Sequence, residues 1–248
     1  MGDTHSNMKD IYLGIVCPMA NEKKTAVEFI NSVLGQCQGF KQVTFFVIFD
    51  LACKDGTADM LRELAKQESR LKVVWSPENK CVVDAYIRGY KESCNSGCDW
   101  ILEIDGGFSH NPADMPELFN KMSQNYDCVF GSRFCKGGTM MDAPLKRRII
   151  SRGGTMLVNL LLGTKLKDMT SGFELFTKST LEAVLKNGII SRGHFFQTEI
   201  KVFCHRFHIA EVPIHYRSPS KSVNTGVLKD AFGNLFRLFK LRLSGNIK

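Results

Sequence analysis

Several features are missing from this chain of 248 residues. No apolar run approaches the ~18 residues that a bilayer-crossing helix needs. The nearest candidate, Met156 to Leu162, is short and interrupted by Asn159. Met1 to Asp10 is polar and lacks the basic-then-apolar layout of a secretion signal, so the protein is expected on the cytosolic side. The nine cysteines are an odd, scattered set. Their one close pair, Cys94 and Cys98, has no second His or Cys pair at metal-finger spacing. Reduced thiols are the expectation, with Cys17, Cys128 and Cys204 acting as small hydrophobes inside apolar runs. Repeats and low-complexity linkers are absent too. The chain also lacks a helix-turn-helix pattern or an aromatic stacking platform, which argues against nucleic acid as a partner.

What is present fits one domain of ordinary size, with a 44% apolar fraction that can bury a sizeable core. Charge is unevenly placed. Residues 1–144 carry 15 Lys and Arg against 19 Asp and Glu, whereas residues 145–248 carry 18 against 6. A basic second half suits a phosphate-rich partner, whether nucleotide, lipid phosphate, nucleic acid or anionic membrane. Charge alone does not choose among them.

The first half alternates between strand and helix. Apolar or β-branched runs at Ile11 to Cys17, Val43 to Phe49, Leu71 to Trp75, Trp100 to Ile104 and Cys128 to Phe130 read as strands. Helical spacing fills the gaps at Asn21 to Gln36, Thr57 to Gln67, Val82 to Tyr90 and Pro116 to Met122. This pattern predicts a Rossmann-like, doubly wound, mostly parallel α/β sheet with helices on both faces. Later come a helix over Lys146 to Leu162, an apolar segment Phe173 to Phe176, helices at Thr180 to Leu185 and Gln197 to Arg206, and a strand Glu211 to His215. Residues 226–248 form a separate basic amphipathic helix, with Leu228, Phe232, Leu235 and Phe239 on one face. Such a helix can lie on a membrane surface among anionic headgroups or pack on the core as an ordinary terminal helix.

In doubly wound sheets, ligands bind beyond the carboxyl ends of the strands. The residues there are Pro18 to Glu22, Asp50, Pro77 to Asn79, Asp105 to Gly107 and Gly131 to Arg133. These segments carry a resemblance. Cys17-Pro18-Met19-Ala20-Asn21-Glu22 resembles the P-T-Y-N-E opening of inverting family 2 glycosyltransferases, and Asp50 to Thr57 resembles their V-D-D-G-S-x-D-G-T turn. Asp105 to Pro112 resembles their D-A-D-x-S-H-x-P metal loop. Further on, Phe130 to Gly138, Arg147 to Gly153, Lys167 to Phe173, Phe196 to Glu199 and Ala210 to Ile214 are similar to segments of polyprenyl-phosphate sugar synthases. The segments occur in order from about Ile11 to Tyr216. Three depart from the pattern. The second Asp of the turn is Leu51, the second Asp of the metal loop is Gly107, and the Gly-rich N-x-G-x-G reads Asn79-Lys80-Cys81-Val82-Val83.

The resemblance implies a GT-A glycosyltransferase domain over residues 1–225, with a nucleotide-sugar half (11–110) and an acceptor half (111–225). It implies transfer of a mannose-like hexose from a GDP- or UDP-linked sugar to a polyprenyl or dolichyl phosphate at a membrane surface. Pro18, Asn21, Glu22, Asp50, Asp105 and Gly106 would contact the donor. Arg133, Arg147, Ser151, Asp168 and Gln197 would face the acceptor. Asp105 would hold Mg2+ or Mn2+, with Ser109 or water in the place that Gly107 leaves vacant. Asp105, Arg133 and Arg147 would carry the chemistry, because cations must offset the leaving diphosphate. Glu103 shares a strand face with Asp105 and reads either as a further ligand or as a buried, hydrogen-bonded group. Asp168 reads equally as a base for a hydroxyl acceptor or as a loop cap, and Glu199 as structural. Arg148 and Arg152 remain open between phosphate binding and a solvated helix face. Two other activities stay in view: transfer to a glycan or other hydroxyl, and a catalytically weakened nucleotide-sugar-binding subunit. The sequence leaves oligomeric state open.

Overall fold

The computed structural model describes residues 7–217 and 225–245; residues 1–6, 218–224 and 246–248, including most of the polar amino-terminal stretch, lie outside the described residues. The expected alternation is present as β1 (Tyr12–Pro18), α1 (Ala26–Gly35), β2 (Gln42–Phe49), α2 (Thr57–Ala65), β3 (Leu71–Trp75), α3 (Val82–Asn95) and β4 (Trp100–Glu103). The chain continues through α4 (Met115–Met122), β5 (Cys128–Ser132), β6 (Thr139–Met141), α5 (Leu145–Leu162), β7 (Glu174–Thr177) and α6 (Lys178–Lys186). It ends with α7 (Phe195–Phe203), β8 (Ile209–Pro213), β9 (His215–Arg217) and α8 (Thr225–Leu243).

Seven strands form one sheet in the order β3-β2-β1-β4-β7-β5-β8. Every neighbouring pair is parallel except those of β7, which runs antiparallel to both β4 and β5. The strand expected over Glu211 to His215 divides at Ile214, whose N–H makes a last bond to β5 at the Ser132 carbonyl, 3.1 Å away. Beyond that break β9 pairs with β6 in a separate parallel ribbon.

Both sheet faces are covered, which is why the strands read as continuous apolar runs. Leu13, Ile15 and Cys17 of β1, with Phe45, Val47 and Phe49 of β2, pack on one side with α1, α2 and α4. Val16, Phe46 and Ile48 face the other side, against α3, α6 and α7. A third, smaller cluster joins Val158 and Leu162 of α5, Val202 of α7, and Leu235 and Leu238 of α8. The carboxy-terminal helix therefore packs on the body through one stripe. Phe232, Phe236 and Leu243 remain exposed, as do Leu145, Ile149, Met156 and Leu160 of α5. No helix among the described residues is long and apolar enough to cross a membrane. All nine cysteines are unpaired.

Candidate active site

The loops after β1 and β2 are laced together by hydrogen bonds between side chains and backbone. Asn21, at φ +60°, accepts from Lys54 N–H through Oδ1 and donates through Nδ2 to the Ala52 carbonyl, each at 2.9 Å. Lys23 N–H donates to Asp55 at 3.1 Å, and Glu22 N–H donates to the Thr57 hydroxyl at 3.0 Å. Asp55 also accepts from Thr57 N–H at 2.9 Å, so the Asp55-Gly56-Thr57 turn anchors both loops. Asp50, half-buried, accepts from Ala52 N–H at 2.8 Å through one carboxylate oxygen, which fixes the side chain on its own turn. Leu51, where the family pattern has a second Asp, is 61% exposed.

Asp105 follows β4 as Asp50 follows β2, and β1 lies between those strands. Strand spacing alone sets the two carboxylates roughly 10 Å apart along one sheet edge. The Asp105 side chain is 39% exposed; the Tyr86 hydroxyl donates to one oxygen, and His110 Nδ1 lies 3.6 Å from the other. His110 is buried under Phe173 and Tyr216, and its Nδ1 accepts from Asp105 N–H at 3.4 Å. Burial lowers the His110 pKa, which suits a neutral ring. The loop then turns through Gly107 (φ +77°) and Phe108 (φ +62°). A Cβ on Gly107 would sit 3.1 and 3.2 Å from the two carboxylate oxygens of Glu22. Glu22 and Asp105 both act on the Cys17 thiol, which burial first, then Asp105 and Glu22, push well above its usual range. Among the described residues, no group of three or more His, Cys, Asp or Glu side chains could hold a metal unaided. Asp105 and Glu22, on loops that meet at Gly107, do fit Mg2+ or Mn2+, which bind through one or two carboxylates and take further oxygens from substrate phosphates and water. Ser109 is 8% exposed and its carbonyl accepts from Arg217 N–H at 2.9 Å, and a Cβ on Gly106 would meet Met19 at 3.3 Å.

Beneath Asp105 lies a buried polar layer. Glu103 shares the sheet face of Asp105 and is wholly buried; it accepts from the Tyr90 hydroxyl and, at 3.1 Å, from Gln197 Nε2. It is thus the hydrogen-bonded group of the two readings. Tyr86 and Tyr90, one turn apart on α3, serve Asp105 and Glu103 respectively. Glu103 pairs in register with Glu174 of β7, so two carboxylates stand side by side inside the protein. Burial first, and their mutual repulsion next, raise Glu103 well above the carboxylate range. Burial likewise pushes Glu174 up to about 7, although Lys201 Nζ lies 3.1 Å away and pulls it down. Gln197 crosses Gly172 so closely that any Cβ there would collide with its amide.

Arg133 leaves β5 and turns inward. Its Nε and Nη2 donate to the two oxygens of Asp168, each at 2.7 Å, and Nη2 also reaches the Thr170 hydroxyl at 2.5 Å. Burial would raise Asp168, but the guanidinium overrides it and holds the carboxyl at about 2. Asp168 is fully buried, and its carboxylate also accepts from Thr170 N–H at 3.1 Å, the geometry of the loop cap among its readings. The Arg133 guanidinium lies 5.4 Å from the rings of both Phe134 and Tyr216. Tyr216, on the β6–β9 ribbon, feels burial first and then Asp105, Arg147 and Arg133, so the ribbon hangs between the metal loop and the start of α5. Arg147 and Ser151 are half-buried on α5, Arg148 donates to the Met140 carbonyl at 2.8 Å, and Arg152 lies over Phe134. Glu199 has the structural role expected of it: it accepts from Ser191 N–H at 2.8 Å and from Arg237 at 2.7 Å.

Tyr86, Tyr90, Glu174, Lys201 and Tyr216 were not singled out from sequence. The i, i+4 tyrosines of α3 carried a signal, since two hydroxyls on a core-facing stripe need partners. Glu174 and Lys201 carried a weaker one: each is a charge inside an apolar segment, and a buried charge must be paired.

Compared with known proteins, residues 14–185 match the family model described as glycosyl transferase family 2. Over 227 residues the chain is 29% identical to the undecaprenyl-phosphate mannosyltransferase of Micrococcus luteus, covering 90% of this chain and 91% of that protein. It is 26% identical over 205 residues to the polyprenol monophosphomannose synthase of Mycolicibacterium smegmatis, covering 82% and 76%. Among solved structures, glucosyl-3-phosphoglycerate synthase from Mycobacterium tuberculosis, in complex with Mn2+, UDP and phosphoglyceric acid, superposes with a TM-score of 0.64 at 16% identity. That alignment covers 92% of this chain and 77% of the other, and establishes a shared fold.

Proposed function

The chain belongs to glycosyl transferase family 2, and from that premise we propose that it moves a mannose-like hexose from a GDP- or UDP-linked sugar onto a polyprenyl phosphate. Its fold is the mostly parallel α/β sheet of such enzymes, and it is a glycosyltransferase. The reading of donor and acceptor is ours. It is supported by the activities for which the two relatives are named and by the layout of charge around the sheet edge.

Asp50 and the laced loops of Asn21 and Glu22 bind the nucleoside end, and Pro18 and Gly106 close the floor between them. Asp105 lies where the diphosphate leaves. Mg2+ or Mn2+ bound there supplies Lewis-acid neutralisation of that leaving group. Arg147 and Ser151 on α5, with the Asp168-braced Arg133 behind them and Gln197 beneath, face the acceptor phosphate. One of its oxygens attacks the anomeric carbon. The bond from that carbon to the donor phosphate breaks, and its electron pair departs with the nucleoside diphosphate.

One observation carries the choice of a phosphate over a hydroxyl acceptor. Asp168, the candidate base, is locked on Arg133 with its carboxyl held at about 2 and cannot take a proton from an alcohol at neutral pH. A phosphate is already ionised and needs no such base. The exposed apolar residues of α5 and α8, set among Lys146, Arg152, Lys229 and Lys240, suit a membrane surface where a lipid-linked phosphate is found. Exposed Leu51 and Gly107 in acidic positions favour one second reading, a donor-binding subunit with weakened turnover.

A thermal-shift panel of GDP, UDP and CDP sugars, each with and without Mn2+, tests the donor. A ligand at 100 times its dissociation constant stabilises by about 2.7 kcal/mol. Label transfer into a lipid extract containing polyprenyl phosphate then tests the acceptor. Stabilisation without transfer under any metal selects the binding-subunit reading, and no stabilisation by any nucleotide sugar sinks both.

A further inference from the structure

The metal loop lacks its second carboxylate in sequence, yet a carboxylate from another loop stands against the place where that side chain would begin. We infer that Glu22, reaching across from the loop after β1, supplies the second carboxylate for a divalent cation shared with Asp105; this rests on the donor-binding reading above.

Two observations converge on it. First, an ideal Cβ at Gly107 falls 3.1, 3.2 and 3.3 Å from Oε1, Oε2 and Cδ of Glu22, so the Glu22 carboxyl group stands in tight contact with the place where the missing Asp side chain would begin, two residues from Asp105. Second, the Glu22 carboxylate is held rather than loose. The Thr25 hydroxyl donates to Oε2 at 2.8 Å, and Glu22 N–H is fixed on Thr57 at 3.0 Å. One neutral donor leaves a carboxylate with lone pairs for a cation.

The consequence is a split site. In a D-x-D loop both ligands ride on one segment. Here one belongs to the metal loop and the other to the loop that Asn21 and Asp55 tie to the nucleoside-binding turn. Two carboxylates are too few for a tight cage, so the diphosphate must complete the shell. Cation and nucleotide should therefore bind together, and by linkage each should raise the affinity of the other by the same factor.

The test is Mn2+ binding, read by electron paramagnetic resonance and titration calorimetry, on the full chain with saturating UDP or GDP and without nucleotide. Wild type should retain Mn2+ with at least one nucleotide and at least ten-fold more weakly without it. Glu22→Gln, which keeps an oxygen for Thr25, should lose at least ten-fold in Mn2+ affinity in the ternary mixture. Its metal-free nucleotide affinity should fall by a clearly smaller factor than its Mn2+ affinity. Adding Gly107→Asp to Glu22→Ala should recover most of the Mn2+ affinity, since Asp tolerates a left-handed backbone and its place is then vacant. Unchanged Mn2+ affinity in Glu22→Gln overturns the inference, as does a wild type that binds nucleotide but no Mn2+; both leave donor binding standing. Failure to bind either nucleotide overturns the inference and counts against the donor reading with it.

Discussion

The halves that the proposed reading assigns to donor and acceptor handle charge in opposite ways. In the first, the carboxylates of Asp50, Glu22 and Asp105 lie in the loops at the sheet edge, and those loops are fixed by hydrogen bonds between side chains and backbone. In the second, with the helix that follows it, the charges turn inward: Arg133 on Asp168, Lys201 on Glu174 and Arg237 on Glu199. A site that must receive a metal and a diphosphate keeps its anions accessible. A site that must hold cations steady toward a phosphate braces them with buried partners. Substitutions in the first half should therefore cost activity, and those in the second half stability.

The largest effect tests the second half of that contrast. Asp168→Ala leaves Arg133 buried without its partner and is expected to cost about 3–5 kcal/mol in denaturant unfolding. A cost under about 1 kcal/mol would mean that the pair is not a brace. Asp105→Asn should do the reverse, lowering kcat/KM at least about 100-fold, or roughly 2.7 kcal/mol of transition-state stabilisation, with an unchanged melting temperature. Steady-state transfer assays and calorimetry on the same preparation separate the two outcomes.

A subtler expectation concerns pH. The folded-state pKa of Glu174 is raised to about 7, so its contribution to stability is fully present below the unfolded value near 4.5 and is lost as pH climbs through 7. The melting temperature should fall by several degrees between pH 5 and 8, and Glu174→Gln should flatten that slope. A slope unchanged in the variant would remove Glu174 as its source. The smallest effect lies on the surface. Phe236→Ser on α8 should change stability by no more than about 0.5 kcal/mol, yet weaken sedimentation with anionic vesicles. Equal sedimentation would separate this face from any membrane role.

Much of this contrast could be read in the chain, though unevenly. Apolar runs such as Val43 to Phe49 placed the donor-half strands almost residue by residue, whereas the helix expected from Asn21 begins only at Ala26, because Asn21 and Glu22 are tied into the loop. The loops of this half follow in order after each strand. The acceptor half was harder for two physical reasons. An apolar run like Phe173 to Phe176 looks the same whichever way it enters a sheet, so the reversed direction of β7 left no trace in the pattern. Three-residue strands such as Thr139–Met141 are too short to show a period, so the ribbon carrying Tyr216 was invisible. The pairing of Arg133 with Asp168 spans 35 positions and is decided by β5 and the loop before β7 meeting in space.

The reversed strand also bears on how the molecule can be divided. Because β7 is inserted between β4 and β5, the central sheet of the amino-terminal half is completed by residues some seventy positions downstream. A fragment stopping after the metal loop would leave β4 as a bare edge, its Trp100 to Glu103 backbone open to any passing strand. Modular language suits the ligands, but the polypeptide must close its sheet in one cooperative act, and neither half can be swapped or expressed alone without a sticky seam.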